Sequence, residues 1–568
     1  MKTKLLLSIL FLGAFYQSNA QNVLASMKPR PADCEYLSAP DSLDVRQSLK
    51  MPNFENKNSL TTQTKLPYPI IFIHGLNSGS STWNTFTDFM DTNYLFTYGG
   101  RFDINLNLDN NPYVANKNIY PTQGADIGLY QGSWTQGADY YYVNFAVNSS
   151  GAYDEACANL SNQSAIAKQG LALRDVIIYV MQLTGRDKVI LMGHSMGGLA
   201  AREYLQNPSN WVDTNTNHHV AKLITTGTPH LGSDAIGGQI IGVDYHSEAI
   251  RDLKNTYFNY TNNGMFLFGG SELDDGSSFY NIDVDCNTIS GNSIVGLDRK
   301  SISTNLDYSC IIGTAAAGIG DIAVNTQSAN INNVFSNLTT NIFTTAVFHN
   351  FLTNQSYPNM KGLDEPYQYN LAYGINYDKL YVGFITEQSS SAPYTIDYDE
   401  YKFNVVSNSQ INFIINNGLN FSIYARILNS SLTQVGQIFT INNGNNSFSI
   451  NLSAGQYYLE VYGIPTSNSF LTPYAFGLTY SLSNNEFSIN NSLKIYPNPT
   501  SSKVFFDNSI SNFKEVAIYN YLGQEVTKND FTSISTNQEV DMSGLSAGVY
   551  ILKFSNNETS QSVKVVKK

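Results

Sequence analysis

The sequence predicts an α/β domain, a mostly parallel sheet with flanking helices and a cap insertion, followed by two all-β sandwich modules. Three observations predict it. Between about residues 66 and 230, short continuous apolar runs alternate with stretches of helical periodicity, as expected when crossover helices bury a sheet on both faces. Beyond about residue 374 the hydrophobic period changes to two, with turn residues between the runs. A polar stretch at 485–492 then separates two regions of this second kind.

With 568 residues the chain has room for several domains at about 150 residues each. Its 42% hydrophobic and 14% charged residues are a globular composition and exclude a mostly disordered chain. The 32 basic against 45 acidic residues leave a formal net charge of -13, so no nucleic-acid partner is expected.

In chain order, the first element is an export signal. Lys2 and Lys4 precede an apolar stretch from Leu5 to about Phe15, and Ser18-Asn19-Ala20 offers a small-residue cleavage pattern; residues 1–20 therefore read as a signal peptide cut after Ala20. The apolar run falls short of the roughly 20 residues that span a bilayer, and no later run reaches it, so no transmembrane segment is expected in the mature chain. Residues 21–65 form an N-terminal extension. Four cysteines follow the signal. In an exported chain they permit two disulfides, Cys286 with Cys310 and Cys34 with Cys157, with free buried thiols as the alternative.

The α/β region is expected to span 66–373. Ile70 to Ile73 is a fully apolar strand ending at His74-Gly75, and Tyr140 to Phe145 is a second. Ile166, Leu173, Val176, Ile177 and Val180 recur at helical spacing, and Gly185 stands where a helix C-terminus wants a glycine. Lys188 to Met192 is a strand, a Gly-rich turn follows it, and Leu199 to Leu205 is helical. Lys222 to Thr226 and Tyr308 to Gly313 are two more strands, and the long interval between them, about 231–305, is the cap. In the first β region, 374–484, Tyr401, Phe403 and Val405 alternate, as do Ile411, Phe413 and Ile415. The second, 493–568, repeats the style in Val516 to Tyr519 and Gly548 to Phe554.

The chemistry lies at Gly193-His194-Ser195-Met196-Gly197. A G-x-S-x-G pattern is weak alone. Here it directly follows an apolar strand and opens a helix, the setting in which a sharp turn thrusts a serine hydroxyl out at the sheet's C-terminal edge. A serine hydroxyl needs a base to take its proton, and the base needs a carboxylate to hold its tautomer. The expected chain order is Ser, acid, His. His74 and His194 precede Ser195, while His218, His219, His230 and His246 come before the last strands, so His349 is the expected base. Asp321, in a glycine-flanked loop after the strand ending near Gly313, is the expected acid; Asp298 and Asp307 are weaker. The oxyanion donors are expected at Met196 N–H and at Leu76 N–H in the loop after the first strand, supported by His74, Gly75, Gly193 and Gly197. No cofactor is required and no metal is assigned, though calcium could bind the acidic loops at Asp274–Asp275 and at Asp283 and Asp285.

In PIIFIHGLNSGSSTW (69–83), VILMGHSMGGLAAR (189–202), TTGTPHLGSD (225–234), GIGDIAV (318–324) and FHN (348–350), the chain resembles the lipase and esterase branch of the α/β-hydrolase superfamily. The resemblance implies hydrolysis of an ester or lipid substrate through an acyl-enzyme on Ser195, with Asp321 and His349. It also marks an Asn/Gly/Tyr-rich insertion near 95–135. The 374–484 region resembles a pre-peptidase C-terminal domain in DYDEYKFNV (397–405) and LSAGQYYLEVYG (452–463). Residues 493–568 resemble the type IX secretion C-terminal sorting domain of Bacteroidetes in IYPNPTSSKVFF (495–506), YNYLGQEV (519–526) and LSAGVYILKF (545–554). That implies the type IX machinery as a partner and a secreted or cell-surface location. The competing functions are an acyltransferase, amidase or thioesterase using the same triad, and a non-enzymatic adhesin or glycan-binding protein.

Overall fold

The computed structural model describes residues 65–106, 128–129, 134–147, 161–164, 166–233, 248–253, 270–271, 293–294, 297–315, 320–386, 395–466, 468–481, 493, 495–506, 513–520, 524–531, 538–556 and 560–568. The expected signal peptide, the extension before residue 65, Cys34, Cys157, Cys286 and the acidic loops at Asp274–Asp275, Asp283 and Asp285 lie outside the described residues. The chain forms two compact units, Met1–Ser481 and Leu482–Lys568.

The first unit is built on an eight-stranded sheet. Its strands are β1 (Ile70–Ile73), β2 (Tyr98–Asn105), β3 (Gly128–Leu129), β4 (Tyr140–Asn144), β5 (Val189–His194) and β6 (Val220–Thr226), then, past a small hairpin of β7 (Gly270–Ser271) and β8 (Ser293–Ile294), β9 (Asp307–Gly313) and β10 (Thr340–Thr345). The order across the sheet is β10-β9-β6-β5-β1-β4-β2-β3. Seven strands are parallel, and β3 runs antiparallel to β2. Strands β1, β4, β5, β6 and β9 are buried along their whole length, which is why β1 and the Val189–Met192 part of β5 read as unbroken apolar runs; β6 and β9 also bury Lys222 and Asp307, as an ion pair.

Successive residues of β1 face opposite sides, and each side has its own helices. Ile71 and Ile73 pack with Leu173, Val176, Ile177 and Val180 of α2 (Ile166–Thr184) and with Ala200, Ala201 and Tyr204 of α3 (Met196–Leu205). Ile70 and Phe72 pack with Phe86 and Met90 of α1 (Asn84–Tyr94) and with Met360 and Leu363 of a later helix, Ser356–Leu363. Helix α2 ends at Gly185, whose φ of +66° is the left-handed cap conformation. Two short helices, Glu248–Leu253 and Thr326–Ala329, lie between α3 and Ser356–Leu363 and become α4 and α5, with Ser356–Leu363 as α6.

The all-β region of this unit consists of β11 (Tyr373–Gly374), β12 (Lys379–Gly383), β13 (Asp397–Val405), β14 (Ser409–Asn417), β15 (Ile423–Asn429), β16 (Gln434–Ile441), β17 (Gly444–Leu452), β18 (Gly455–Gly463) and β19 (Tyr474–Ser481). They form sheets ordered β11-β13-β18-β15-β16 and β12-β19-β14-β17. The alternating residues Tyr401, Phe403, Ile411, Phe413, Ile415, Leu459 and Val461 are the buried inner face, as their period predicts. They belong to the same continuous core as Phe72, Phe86 and Met360, so packing does not break near residue 374. Polar ties cross the same junction. Tyr94 donates to the Phe470 carbonyl at 2.8 Å and Arg186 donates to the Tyr381 hydroxyl at 3.0 Å.

The second unit carries sheets ordered Ile495–Tyr496, Lys503–Phe506, Gln538–Asp541 and Glu525–Asp530, Glu515–Asn520, Gly548–Ser555, Ser560–Lys567. Its own core includes Val504, Phe506, Val516, Ile518, Leu552, Phe554 and Val565.

Two expectations are corrected. Residues 98–105, counted with an insertion, are a strand of the central sheet; Gly99 lies so close under the Tyr141 ring that any Cβ would overlap it, 2.1 Å from Cε1. Cys310 is a free thiol, so the expected bond to Cys286 is not made. It points from the interior strand β9 into the core, 1% exposed, with Sγ 3.2 Å from Thr225 Oγ1 on β6, where a thiol serves as a small apolar side chain.

Candidate active site

Ser195 joins β5 to α3 at φ 52° and ψ -125°, a conformation that non-glycine residues adopt only under constraint. The constraint is close packing around the turn. A Cβ at Gly193 would stand 2.5 Å from Gly198 N, and one at Gly197 2.5 Å from the His74 carbonyl oxygen, so helix and strands can approach only without side chains there. The Ser195 N–H donates to the Thr226 carbonyl at 2.9 Å, tying the turn to the end of β6. Ser195 is half-buried, at the sheet's C-terminal edge.

Asp321 and His349 come from the loops that follow β9 and β10. Asp321 is 1% exposed. Its Oδ1 accepts from Ala323 N–H at 3.0 Å and Val324 N–H at 2.7 Å, while Oδ2 faces His349 Nδ1 at 2.8 Å. The carboxylate oxygen only accepts, so Nδ1 carries the proton and Nε2 is left with a lone pair. The His349 N–H also donates to the Asp321 carbonyl at 3.1 Å, so the two residues are joined twice. The pair sits beside Gly227, the residue after β6: a Cβ there would lie 3.1 Å from Asp321 Oδ2 and 3.2 Å from His349 Cε1. Since Thr226 binds the Ser195 N–H, Ser195, His349 and Asp321 converge on adjacent strand ends.

The loop after β1 approaches Ser195 from the other side. A Cβ at Gly75 would be 2.7 Å from Ser195 Cβ and 3.3 Å from its Oγ. Leu76 packs with the fully buried Met196. Neither the Leu76 nor the Met196 N–H has an acceptor among the described residues. His74 is buried and holds this loop: Nε2 accepts from Phe145 N–H at 2.9 Å, and Nδ1, therefore the protonated nitrogen, donates to the Gly75 carbonyl at 2.8 Å.

Two supporting residues escaped the sequence reading. Asn162 accepts from Asn77 N–H at 2.8 Å and donates to the Gly75 and Ser78 carbonyls at 3.3 and 3.1 Å; no local pattern marks it, since it is brought to the loop only by folding. His194, set aside as a base by chain order, contacts His349 directly, with Nε2 3.1 Å from the His349 carbonyl oxygen. The weaker acid candidates have other partners. Asp298 pairs with Arg202 at 2.7 Å, and Asp307 with Lys222 at 2.7 Å.

Away from this site, Asp364, Asp397 and Asp399 are buried, and each offers a carboxylate oxygen within 4.8 Å of the others. Such oxygens suit a hard cation. Burial and the neighbouring carboxyl groups of Glu365, Asp397 and Asp364 hold the Asp399 carboxyl well above its usual range.

A mostly parallel sheet, a strained serine turn and a histidine-carboxylate pair at its C-terminal edge define an α/β-hydrolase domain. Residues 67–264, which include Ser195 and the Leu76 loop, match the family described as PGAP1-like alpha/beta domain, and residues 494–568 match the secretion system C-terminal sorting domain. The second unit is thus similar to sorting domains of the type IX secretion kind. No curated protein matches the chain. Among solved structures, the lin2722 gene product of Listeria innocua is 16% identical over 52% of this chain and 91% of its own, with a TM-score of 0.30. A lipase-esterase related protein from Clostridium acetobutylicum is 10% identical over 53% and 94%, TM-score 0.24. The pre-peptidase C-terminal domain of a Bacillus anthracis collagenase is 19% identical over 20% and 99%, TM-score 0.16. Among the described residues no helix is long and apolar enough to cross a membrane.

Proposed function

We propose that this chain is an exported serine hydrolase that cleaves carboxylic esters, a lipase or esterase, with Ser195 as nucleophile, His349 as base and Asp321 as its orienting acid. The observation that carries the reading is the 2.8 Å Asp321–His349 bond, which lies beside Gly227 at the end of β6, the strand next to the strained Ser195 turn. His349 Nε2 takes the hydroxyl proton as Ser195 Oγ attacks the ester carbonyl. The oxyanion of the tetrahedral intermediate is met by the unengaged N–H groups of Leu76 and Met196, donors of a kind worth about 10²- to 10³-fold in kcat each. The imidazolium then protonates the departing alcohol, leaving an acyl group on Ser195, and the same base activates the water that releases it. A signal peptide cleaved after Ala20 and the sorting domain would carry the protein across both membranes to the surface or beyond.

Initial rates on p-nitrophenyl esters from acetate to long-chain acyl groups, with and without an emulsified interface, test this reading. Ser195→Ala should abolish turnover while the chain stays folded; equal rates in variant and parent would dismiss the mechanism.

A further inference from the structure

We propose that His194 is a positioning residue that, by donating from Nε2 to the His349 carbonyl, locks the base to the strand end that carries the nucleophile. The inference rests on the triad reading above. His349 is held at three points: its N–H and its Nδ1–H both go to Asp321, and its carbonyl goes to His194. The first two fix the base to the acid alone. Among the described residues, the third contact is the hydrogen bond that ties the base's backbone to the residue that precedes Ser195, so it sets where Nε2 of His349 stands relative to the hydroxyl. The rings also pack against each other, 4.8 Å between centroids, and Trp83 meets the His194 ring edge to face at 6.4 Å.

The chemistry of this contact requires a neutral imidazole. A carbonyl oxygen only accepts, so His194 Nε2 must carry a hydrogen, and its Nδ1 is a buried acceptor with no partner among the described residues. A proton on Nδ1 would place a second cation against His349, which itself becomes a cation each time it takes the serine proton. The site opposes this: burial, then the charge of His349 and the proximity of His74, hold the His194 pKa well below the usual histidine range, although the bond to the His349 carbonyl pulls the other way. His194 therefore grips through both protonation states of the base. A buried polar atom left without a partner is costly, and one that persists beside a reacting group is better explained by what its ring does than by packing alone.

Three full-length variants separate this role from simple filling of space, with p-nitrophenyl butyrate as probe and thermal melts to show folding. His194→Gln can place an amide N–H where Nε2 stood. His194→Phe keeps the ring and loses the donor, and His194→Asn keeps an amide that falls short of the carbonyl. The expected result is a 10- to 100-fold loss of kcat in the Phe and Asn variants with KM within about twofold of the parent, as for a small misplacement of a catalytic group, and recovery of most of that loss in the Gln variant. If Phe does not fold, Gln against Asn decides. Parent-like kcat in Asn or Phe, or a folded Gln variant as slow as Asn, overturns the proposal while leaving the triad standing. A parent that turns over no faster than Ser195→Ala removes the triad reading, and this inference falls with it.

Discussion

Gly227→Ala is the sharpest test of the geometry, because one methyl group would enter the space shared by Asp321 and His349. Gly227 has φ +58°, where a side chain costs about 1–2 kcal/mol in backbone strain. The added Cβ would also stand 2.7 Å from Leu352 Cδ1, 3.1 Å from Asp321 Oδ2 and 3.2 Å from His349 Cε1. Ordinary contact begins at 3.4 Å, so Leu352 must give by roughly 0.7 Å and the Asp321–His349 pair by roughly 0.2–0.3 Å. Since about 1 Å of misplacement can cost 10²-fold in rate, a shift of 0.2–0.3 Å should lower kcat by roughly three- to fourfold while KM changes little. Gly185→Ala is the control: its φ is +66°, and nothing lies within 4 Å of the new Cβ. Both variants should lose a few degrees of Tm from the shared backbone cost, about 2–4 °C per kcal/mol in a unit of this size or less. Only Gly227→Ala should lose turnover on a short-chain p-nitrophenyl ester. Parent-like kcat in a folded Gly227→Ala protein would refute the convergence of Asp321 and His349 on this point.

Asp321→Asn should keep the fold and lower kcat by about 10⁴-fold, because an amide can stabilise the wrong tautomer of His349; a loss under tenfold in steady-state kinetics would demote Asp321. His218 supplies a pH test of stability. Its Nδ1 accepts from Val220 N–H at 3.0 Å, and burial, with Lys188 and His219 nearby, lowers its pKa from 6.5 to about 4. The unfolded chain then binds the proton more tightly, so this stability is complete above pH 6.5 and is lost as pH falls towards 4, up to about 3 kcal/mol. Urea melts of His218→Gln should show a flatter dependence across that window, and an unchanged slope would exclude His218 as its source. Millimolar calcium should raise the Tm of the parent more than that of Asp399→Asn; equal shifts would place any bound ion elsewhere.

What could be read from the chain depended on how local the cause is. Strands β1, β5, β6 and β9 are buried on both faces, so solvent exclusion writes itself into apolar stretches such as Ile70–Ile73, Val189–Met192, Leu223–Ile224 and Cys310–Ile312. Strand β10 could not be read this way. It is the sheet's edge, half-exposed along Thr340–Thr345, and its Thr and Asn residues look like loop. Strand β2 was hidden by Gly99, which answers to the Tyr141 ring beside it, and by Gly100, which has φ +121°, and neither answers to strand propensity. The junction near residue 374 reads as a boundary because the period changes there, yet side chains from both patterns meet in one core, a fact about packing that no period records. Cys310 followed the same rule: its fate was decided by the cross-strand Thr225 and the surrounding core, not by cysteine parity.

The sequence by itself determined the Ser195 turn, since glycines at 193, 197 and 198 act on atoms a few residues or one strand away, and it named Asp321 and His349 as partners through chain order. Tertiary structure alone decided that these two meet at Gly227, that His194 Nε2 lies 3.1 Å from the His349 carbonyl oxygen and that Asn162 pins the Leu76 loop. The reason is physical. A turn is settled by the sterics of its own backbone, whereas contacts between residues 28 to 155 positions apart exist only once β10, β9, β6 and β5 have taken their places side by side.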